Sequence, residues 1–232
     1  MVSRLLNLET LDMTSSRYHW SVKGEAQNAE ATVEEIGCLQ RLHVLSIKLH
    51  SSPCLLTNTN IWIKRLRKFQ LIFGSGYMVP TRQEMRRVTI SHLDVSQGSI
   101  GWLLSSTTSL ALNHCQGVEA MIQKLVIDNM SFKNLKALTI ESTSIKLNSK
   151  QSFQRVDLLP NLEELHLRCV DLETISELQI HLGLSLESLK LLEITMCLRL
   201  RTLLDERNFK SIPNLEEIEI SYCDSFQRPE ST

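Results

Sequence analysis

Apolar residues along this chain fall in a rhythm of three, two and three. In residues 189–203, LKLLEITMCLRLRTL, the sites Leu189, Leu192 and Ile194 are followed by Cys197, Leu200 and Leu203. A helix spaces its apolar residues by three and four, and a half-buried strand by two. The mixture fits neither alone, but it recurs. Leu215, Ile218, Ile220, Cys223 and Phe226 repeat it after Pro213. Leu162, Leu165 and Leu167 repeat its first half after Pro160, with Cys169 one place early. Leu135, Leu138 and Ile140 form another copy, as do Leu42, Leu45 and Ile47, and Leu8, Leu11 and Met13. Met85, Val88 and Ile90 are a weaker copy, as are Leu66, Phe69 and Leu71; Leu110, Leu112, Cys115 and Val118 carry the later half.

The middle apolar residue of each copy serves as an anchor: Leu11, Leu45, Phe69, Val88, Leu110, Leu138, Leu165, Leu192 and Ile218. Successive anchors lie 34, 24, 19, 22, 28, 27, 27 and 26 residues apart by subtraction. A period of about 26 with LxxLxLxxC at its head marks leucine-rich repeats. Ile122, Leu125 and Ile127 also fit the spacing but stand too close to Leu138, so residues 120–130 read as a connecting segment. The expected fold is an α/β solenoid, a horseshoe with a parallel sheet on the concave face and irregular or short helical convex segments. One domain over residues 1–232 with about nine repeats is expected, irregular in 14–35 and 50–100 and most regular in 133–226. Residues 15–32, with Tyr18, His19 and Trp20, read as a loop with a convex insertion, and Gly74-Ser75-Gly76 as a turn.

The rhythm has a physical meaning. In LxxLxL the last two apolar residues alternate along a short strand and point inward, while the residues between them point outward. The first leucine, and those after the strand, fill the same layer as the chain turns back. One repeat cannot bury that face alone; stacked repeats bury it against each other. Cysteine at the strand exit is a small, mostly apolar filler, so Cys115, Cys197 and Cys223 read as structural.

Composition agrees. Leucine supplies 39 of the 232 residues, while glycine numbers 8 and aromatics 5%. A net charge of -1 gives no bulk attraction to nucleic acid or anionic membranes. The opening MVSRLLNLETLDM is no secretory signal, and no apolar run is long enough to span a bilayer. Six scattered cysteines without a CxxC pair fit reduced thiols in the cytoplasm. Repeat character begins within a few residues of Met1, so the chain reads as a piece of a longer protein or a truncated product. The sequon at Asn129-Met130-Ser131 reads as chance.

Searching for chemistry yields none: no phosphate loop, HExxH, GxSxG or kinase signature is present. His114-Cys115 and His166-x-x-Cys169 lack the paired spacing of a zinc site. Glu163, Glu164, Glu193, Glu216, Glu217 and Glu219 read as a solvated strand face rather than acid–base pairs. The basic, apolar stretch IWIKRLRKFQLIF (residues 61–73) reads as a convex segment bearing Lys64, Arg65, Arg67 and Lys68, then a core strand. No catalytic, cofactor-binding or metal-binding residue is assigned, and neither nucleic acid nor membrane insertion is expected.

The outward strand positions form the concave face, the usual binding surface of a solenoid. Lys48, Lys68 and Arg87 fall there in the early repeats; Glu141, Glu164, Glu193, Glu217 and Glu219 fall there later, with His166 and Arg168 between them. A face grading from basic to acidic is expected, and these ten residues are the candidate partner-binding set.

LPNLEELHL (159–167), SIPNLEEIEISYC (211–223), TTSLALNHCQGVEAMI (107–122) and FKNLKALTIES (132–142) resemble repeat units of plant intracellular nucleotide-binding, leucine-rich-repeat immune receptors of the coiled-coil class. The resemblance covers nearly the whole chain and is strongest from Gly101 onward. It implies a disease-resistance module that senses a pathogen effector or a guarded host protein and helps hold the receptor's nucleotide-binding module at rest. The coiled coil and phosphate loop of such a receptor are not in this sequence, so nucleotide binding does not carry over. Substrate-recognition repeats of an F-box ubiquitin-ligase adaptor are the alternative; irregular early spacings, the Pro-Asn-Leu-Glu-Glu units and the lack of an F-box before the repeats weigh against it.

If the layers are assigned correctly, Leu192→Ala and Leu165→Ala should each lose about 2–5 kcal/mol of stability. An unchanged melting curve for Leu192→Ala would undo the assignment.

Overall fold

The computed structural model of the protein describes residues 4–16, 20, 32–49, 61–75, 86–96, 100–142, 158–178, 185–203 and 212–226. Nine strands appear in it: β1 (Thr10–Asp12), β2 (Val44–Leu49), β3 (Lys68–Gly74), β4 (Arg86–Ser91), β5 (Ser109–Asn113), β6 (Ala137–Glu141), β7 (Glu164–Arg168), β8 (Leu191–Thr195) and β9 (Glu217–Ser221). They pair in chain order into one open sheet, and every pair is parallel. Few helical elements accompany them: α1 (Val33–Gly37), α2 (Gly101–Leu104), α3 (Val118–Ile127) and a 3₁₀ turn at Ile61–Arg65. This is the expected α/β leucine-rich-repeat solenoid.

Two inward rows run across the sheet. One passes through Ile47, Leu71, Val88, Leu110, Leu138, Leu165, Leu192 and Ile218, the other through Leu49, Phe73, Ile90, Leu112, Ile140, Leu167, Ile194 and Ile220. From β4 onward the anchors lie in the first row. In β1 to β3 the pairing corrects them: Leu71 rather than Phe69 stands opposite Val88, and Ile47 opposite Leu71. Leu11, Leu45 and Phe69 therefore sit two residues earlier in the ladder. A two-residue displacement keeps every side chain on its face because the strand period is two. β3 has three inward positions, Phe69, Leu71 and Phe73, so LxxLxL fits two registers equally well.

Each strand must end abruptly for the chain to leave the sheet. The residue just past β4 to β9 takes a left-handed conformation: His92, His114, Ser142, Cys169, Met196 and Tyr222, with φ between 46° and 57°. β3 turns one position sooner, at its own last residue Gly74, which pairs with Ser91 and has φ 86°. A side chain in this region costs about 1 kcal/mol, which the surrounding ladder must offset at six non-glycine sites. The next residue turns inward again, as Cys115, Val170 and Cys197, all buried. Cys169 is thus not an early filler: it occupies the left-handed site, is exposed, and leaves the interior position to Val170.

A second ladder lies three residues before β6 to β9. Asn134 Nδ2 donates to Ser105 O (2.8 Å), Asn161 Nδ2 to Lys133 O (2.8 Å) and Asn214 Nδ2 to Glu187 O (2.6 Å). Ser188 Oγ donates to Pro160 O at 2.9 Å. Each bond satisfies a carbonyl of the preceding repeat that no strand partner reaches, so the Asn of each x-Asn-Leu unit staples one layer to the one before.

Residues 120–130 connect two repeats, as expected, through α3. Val118, Met121 and Leu125 face the core at helical spacing, while Ile127 is solvent-exposed. The Ile122, Leu125, Ile127 match to the strand pattern was accidental. The helix ends in a Schellman motif: Met130 N donates to Leu125 O and Asn129 N to Val126 O, both at 3.0 Å, with Asn129 left-handed at φ 50°. That geometry gives the asparagine of the sequon a backbone role. Trp20, read as part of a loop, is instead buried against the core with Val33 and Ile36 of α1. Tyr18, His19, Gly76 and Met85 lie outside the described residues.

A Cβ at residue 74 would sit 1.9 Å from Ser91 O. Gly74→Ala should therefore cost about 2 kcal/mol or more, through strain and a forced parting of β3 from β4. Thermal melting tests this; wild-type stability would mean the two backbones do not approach so closely.

Candidate functional site

The candidate residues all lie on the outward face of the sheet. Lys48 stands in β2 opposite Ile72, and Lys68 opens β3 opposite Val44. Arg87 of β4, Glu164 of β7 and Glu217 of β9 share one outward row, which runs through Ser109, Ala137 and Leu191. His166, Glu193 and Glu219 share the next with Thr89, Ala111 and Thr139. Glu141 and Arg168 belong to a third, with Ser91, Asn113, Thr195 and Ser221.

The strands do not produce a smooth gradient. Between the basic and acidic ends lies a waist of small, neutral side chains on β4 to β6. Thr89, Ser91, Ser109 and Ala137 are buried there, with Ala111 and Thr139 beside them half-buried. Ile72, the neighbour of Thr89 on β3, is also buried although it stands on the outward row. Arg87 borders this waist half-buried; loss of solvent pulls its pKa below the usual guanidinium value, and the charge of Glu164 opposes the shift. Alternate strand positions carried this signal in the sequence, but small side chains give no motif.

Much of the acidic end is internally paired. His166 Nδ1 lies 2.7 Å from Glu193 Oε2, and its Nε2 lies 3.7 Å from Glu164 Oε2. Arg168 Nε lies 3.7 Å from Glu141 Oε1. Glu217 and Glu219 on β9 are exposed and make no ion pair among the described residues. The negative charge left for a partner is thus concentrated at the β9 end. The His166–Glu193 and Arg168–Glu141 pairs join neighbouring repeats, each across 27 residues, which no local reading of the sequence exposes.

Glu163 is not merely a solvated strand residue. Lys136 Nζ donates to its Oε1 at 2.7 Å and Lys190 Nζ to its Oε2 at 3.2 Å, so one carboxylate ties three repeats. Those two hydrogen bonds hold its pKa below the ordinary carboxylate range, against a small opposing effect of burial. Glu216, two repeats on, lines the same shallow polar hollow with Asn161, Ser188 and Asn214. On the convex side, Arg65 donates to Gln40 Oε1 (2.6 Å) and Gly37 O (3.0 Å), tying the basic 3₁₀ turn to α1. The stretch 61–73 is thus a turn followed by β3, as the pattern implied.

Cys115 and Cys197 behave as core groups, whereas Cys38 and Cys169 are exposed. Cys115 Sγ lies 3.3 Å from Ile90 O, and burial pushes its thiol up to about 11. Cys197 is raised by burial in the same way. Cys223 Sγ lies 3.4 Å from Ser221 O, half-buried. Both buried thiols stay protonated at neutral pH and are poor nucleophiles. His114 faces solvent and stacks on His92 with ring centroids 4.6 Å apart, away from the buried Cys115. Among the described residues no three His, Cys, Asp or Glu side chains gather as a metal site, and no helix is long and apolar enough to cross a membrane.

The open, all-parallel sheet with its broad outward face is that of a leucine-rich-repeat-like α/β solenoid. Comparison with known proteins adds the biological setting. The chain is 70% identical over 98% of its length to a disease resistance protein of Arabidopsis thaliana. It is 41% identical over 96% of its length to a probable disease resistance protein of the same plant. It spans 24% of the length of each of these curated relatives. No family profile and no solved structure matches the chain.

Glu163 supplies a pH test. A carboxylate whose pKa is lowered by folding stabilises the fold above its unfolded pKa, and that contribution is lost as pH falls through the lowered value. Glu163→Gln should therefore destabilise the protein at neutral pH and flatten the acid arm of its stability curve. Parallel acid arms for the two proteins would remove Glu163 from the account.

Proposed function

We propose that this chain is a protein-recognition and autoinhibitory module of a plant immune receptor, acting in defence without chemistry of its own. The observation that carries this reading is the 70% identity, over almost the full chain, to a protein named for disease resistance. The solenoid supports it: a broad outward face with fixed charges and a neutral waist suits a folded protein partner better than a small substrate. The partner is a pathogen effector or a guarded host protein. The nucleotide-binding module of a longer receptor is a second, internal partner, and the setting is the cytoplasm. Neither relative's name points to a ubiquitin-ligase adaptor, and no feature of the sheet favours that reading.

The ten outward residues act as an orienting field more than as a source of affinity. Their separation into a basic end and an acidic end fixes which way round a polar partner docks. The waist at Ala111 and Thr139 is where its surface can approach the backbone closely.

In the full-length gene product, Ala111→Arg should abolish the defence response in leaf tissue while leaving protein level and melting temperature unchanged. Lysine at Glu193, Glu217 and Glu219 together should slow association with the recognised protein about tenfold at low salt, and less at high salt. Normal defence output and unaltered binding in both variants would show that the concave face is only a solvated surface.

A further inference from the structure

Across β4, β5 and β6 the outward face sinks. Its floor is Ala111 and Ala137, which stand diagonally on neighbouring strands and carry nothing beyond Cβ. Longer side chains flank it, Gln70 and Ile72 on β3 and Glu164 and His166 on β7. Strands lie about 4.8 Å apart, so the floor from β4 to β6 is about 10 Å across.

Thr89 and Ser109 stand at its β4 side, on outward positions of neighbouring strands. They are only 7% and 4% exposed, yet neither hydroxyl has a hydrogen-bond partner among the described residues. Neither oxygen is sealed in, so each opens on the depression. Side chains buried this deeply normally bond to a neighbour. These two are placed for a partner that comes from outside.

Arg87 decides the sign of that partner. It is the cross-strand neighbour of Ser109 and half-buried, where loss of solvent already disfavours its charge. An anion is held more strongly at such a cation than at an exposed lysine. A guanidinium has five N–H donors, so it can take a further acceptor whatever else it holds. Hydroxyls alone suit a ligand of either sign; beside Arg87 they act as donors. Glu164 stands three strands on in the same row and repels a second acid on that side.

We propose that this depression is a carboxylate-binding notch, in which Arg87 and the hydroxyls of Ser109 and Thr89 hold one aspartate or glutamate at the tip of a turn on the recognised protein. The residue of that turn lying toward β7 is neutral or basic, because it meets Glu164. The notch rests on the reading of the outward face as a surface for a folded protein, and it supplies the chemistry of one contact there.

The test is an NMR titration of the 232-residue chain, followed at alanine methyls and arginine Nε–H groups. The probes are the capped hexapeptide Ser-Gly-Asp-Gly-Lys-Ser, the same peptide with asparagine for aspartate, and inorganic phosphate. The aspartate peptide should shift the Ala111 and Ala137 methyls and the Arg87 Nε–H saturably, and the asparagine peptide should bind about tenfold more weakly. R87Q should abolish binding. T89V/S109A should weaken it about tenfold with the melting temperature unchanged, because those hydroxyls hold nothing within the fold. Equal binding of the two peptides, or no saturable shift, overturns the proposal. Phosphate binding more tightly than the aspartate peptide would assign the notch to a free oxyanion and overturns it too. In the full-length gene product T89V/S109A should lose the defence response. If Ala111→Arg abolishes that response and T89V/S109A does not, a protein docks on this face without the carboxylate contact, and the proposal fails while the recognition reading stands. If the aspartate peptide binds as expected and Ala111→Arg leaves the response intact, the notch stands and the recognition reading fails.

Discussion

No layer of this protein can exclude water from its own apolar face. Each repeat contributes two or three inward residues from a strand and a few more from its return path, far too little to form a core alone. Everything else follows from that dependence. The strands are parallel and in sequence order because the next repeat in the chain is the one that closes the layer. Buried rows such as Val88, Leu110, Leu138, Leu165 and Leu192 extend from strand to strand without a break. The Asn134, Asn161 and Asn214 bonds, and the double grip of Lys136 and Lys190 on Glu163, are further ties between neighbouring layers.

The sequence exposed this architecture because its period is set by packing. LxxLxL at about 26-residue intervals required stacked strands, and the strands fall where the pattern put them. The register of the first three was not legible. A shift of two leaves the inward set apolar, so Phe69 and Leu71 are interchangeable to any reading based on alternation. The left-handed exits were also hidden, because six of the seven described strand exits with positive φ use residues other than glycine. Cysteine at position 169 looked like a filler displaced by one; only the backbone angle shows that its neighbour Val170 fills the layer.

The candidate face shows the same division. Which residues point outward followed from alternation, and all ten do. How strongly each charge is felt did not follow, because that depends on partners one repeat away. His166 between Glu164 and Glu193, and Arg168 beside Glu141, turn part of an acidic stripe into closed pairs. The neutral waist was visible only as an absence of charge at Thr89, Ala111 and Thr139. Its meaning came from knowing that the three stand side by side.

The double grip on Glu163 also bears on how the molecule moves. In a stack where each layer touches only its neighbours, free energies of opening are local. Lys136 of the repeat before and Lys190 of the repeat after both hold Glu163, so opening one of these three layers strains a bond to the next. A partner resting over Glu164 and Glu193 therefore meets a surface that yields as a block of three strands rather than strand by strand.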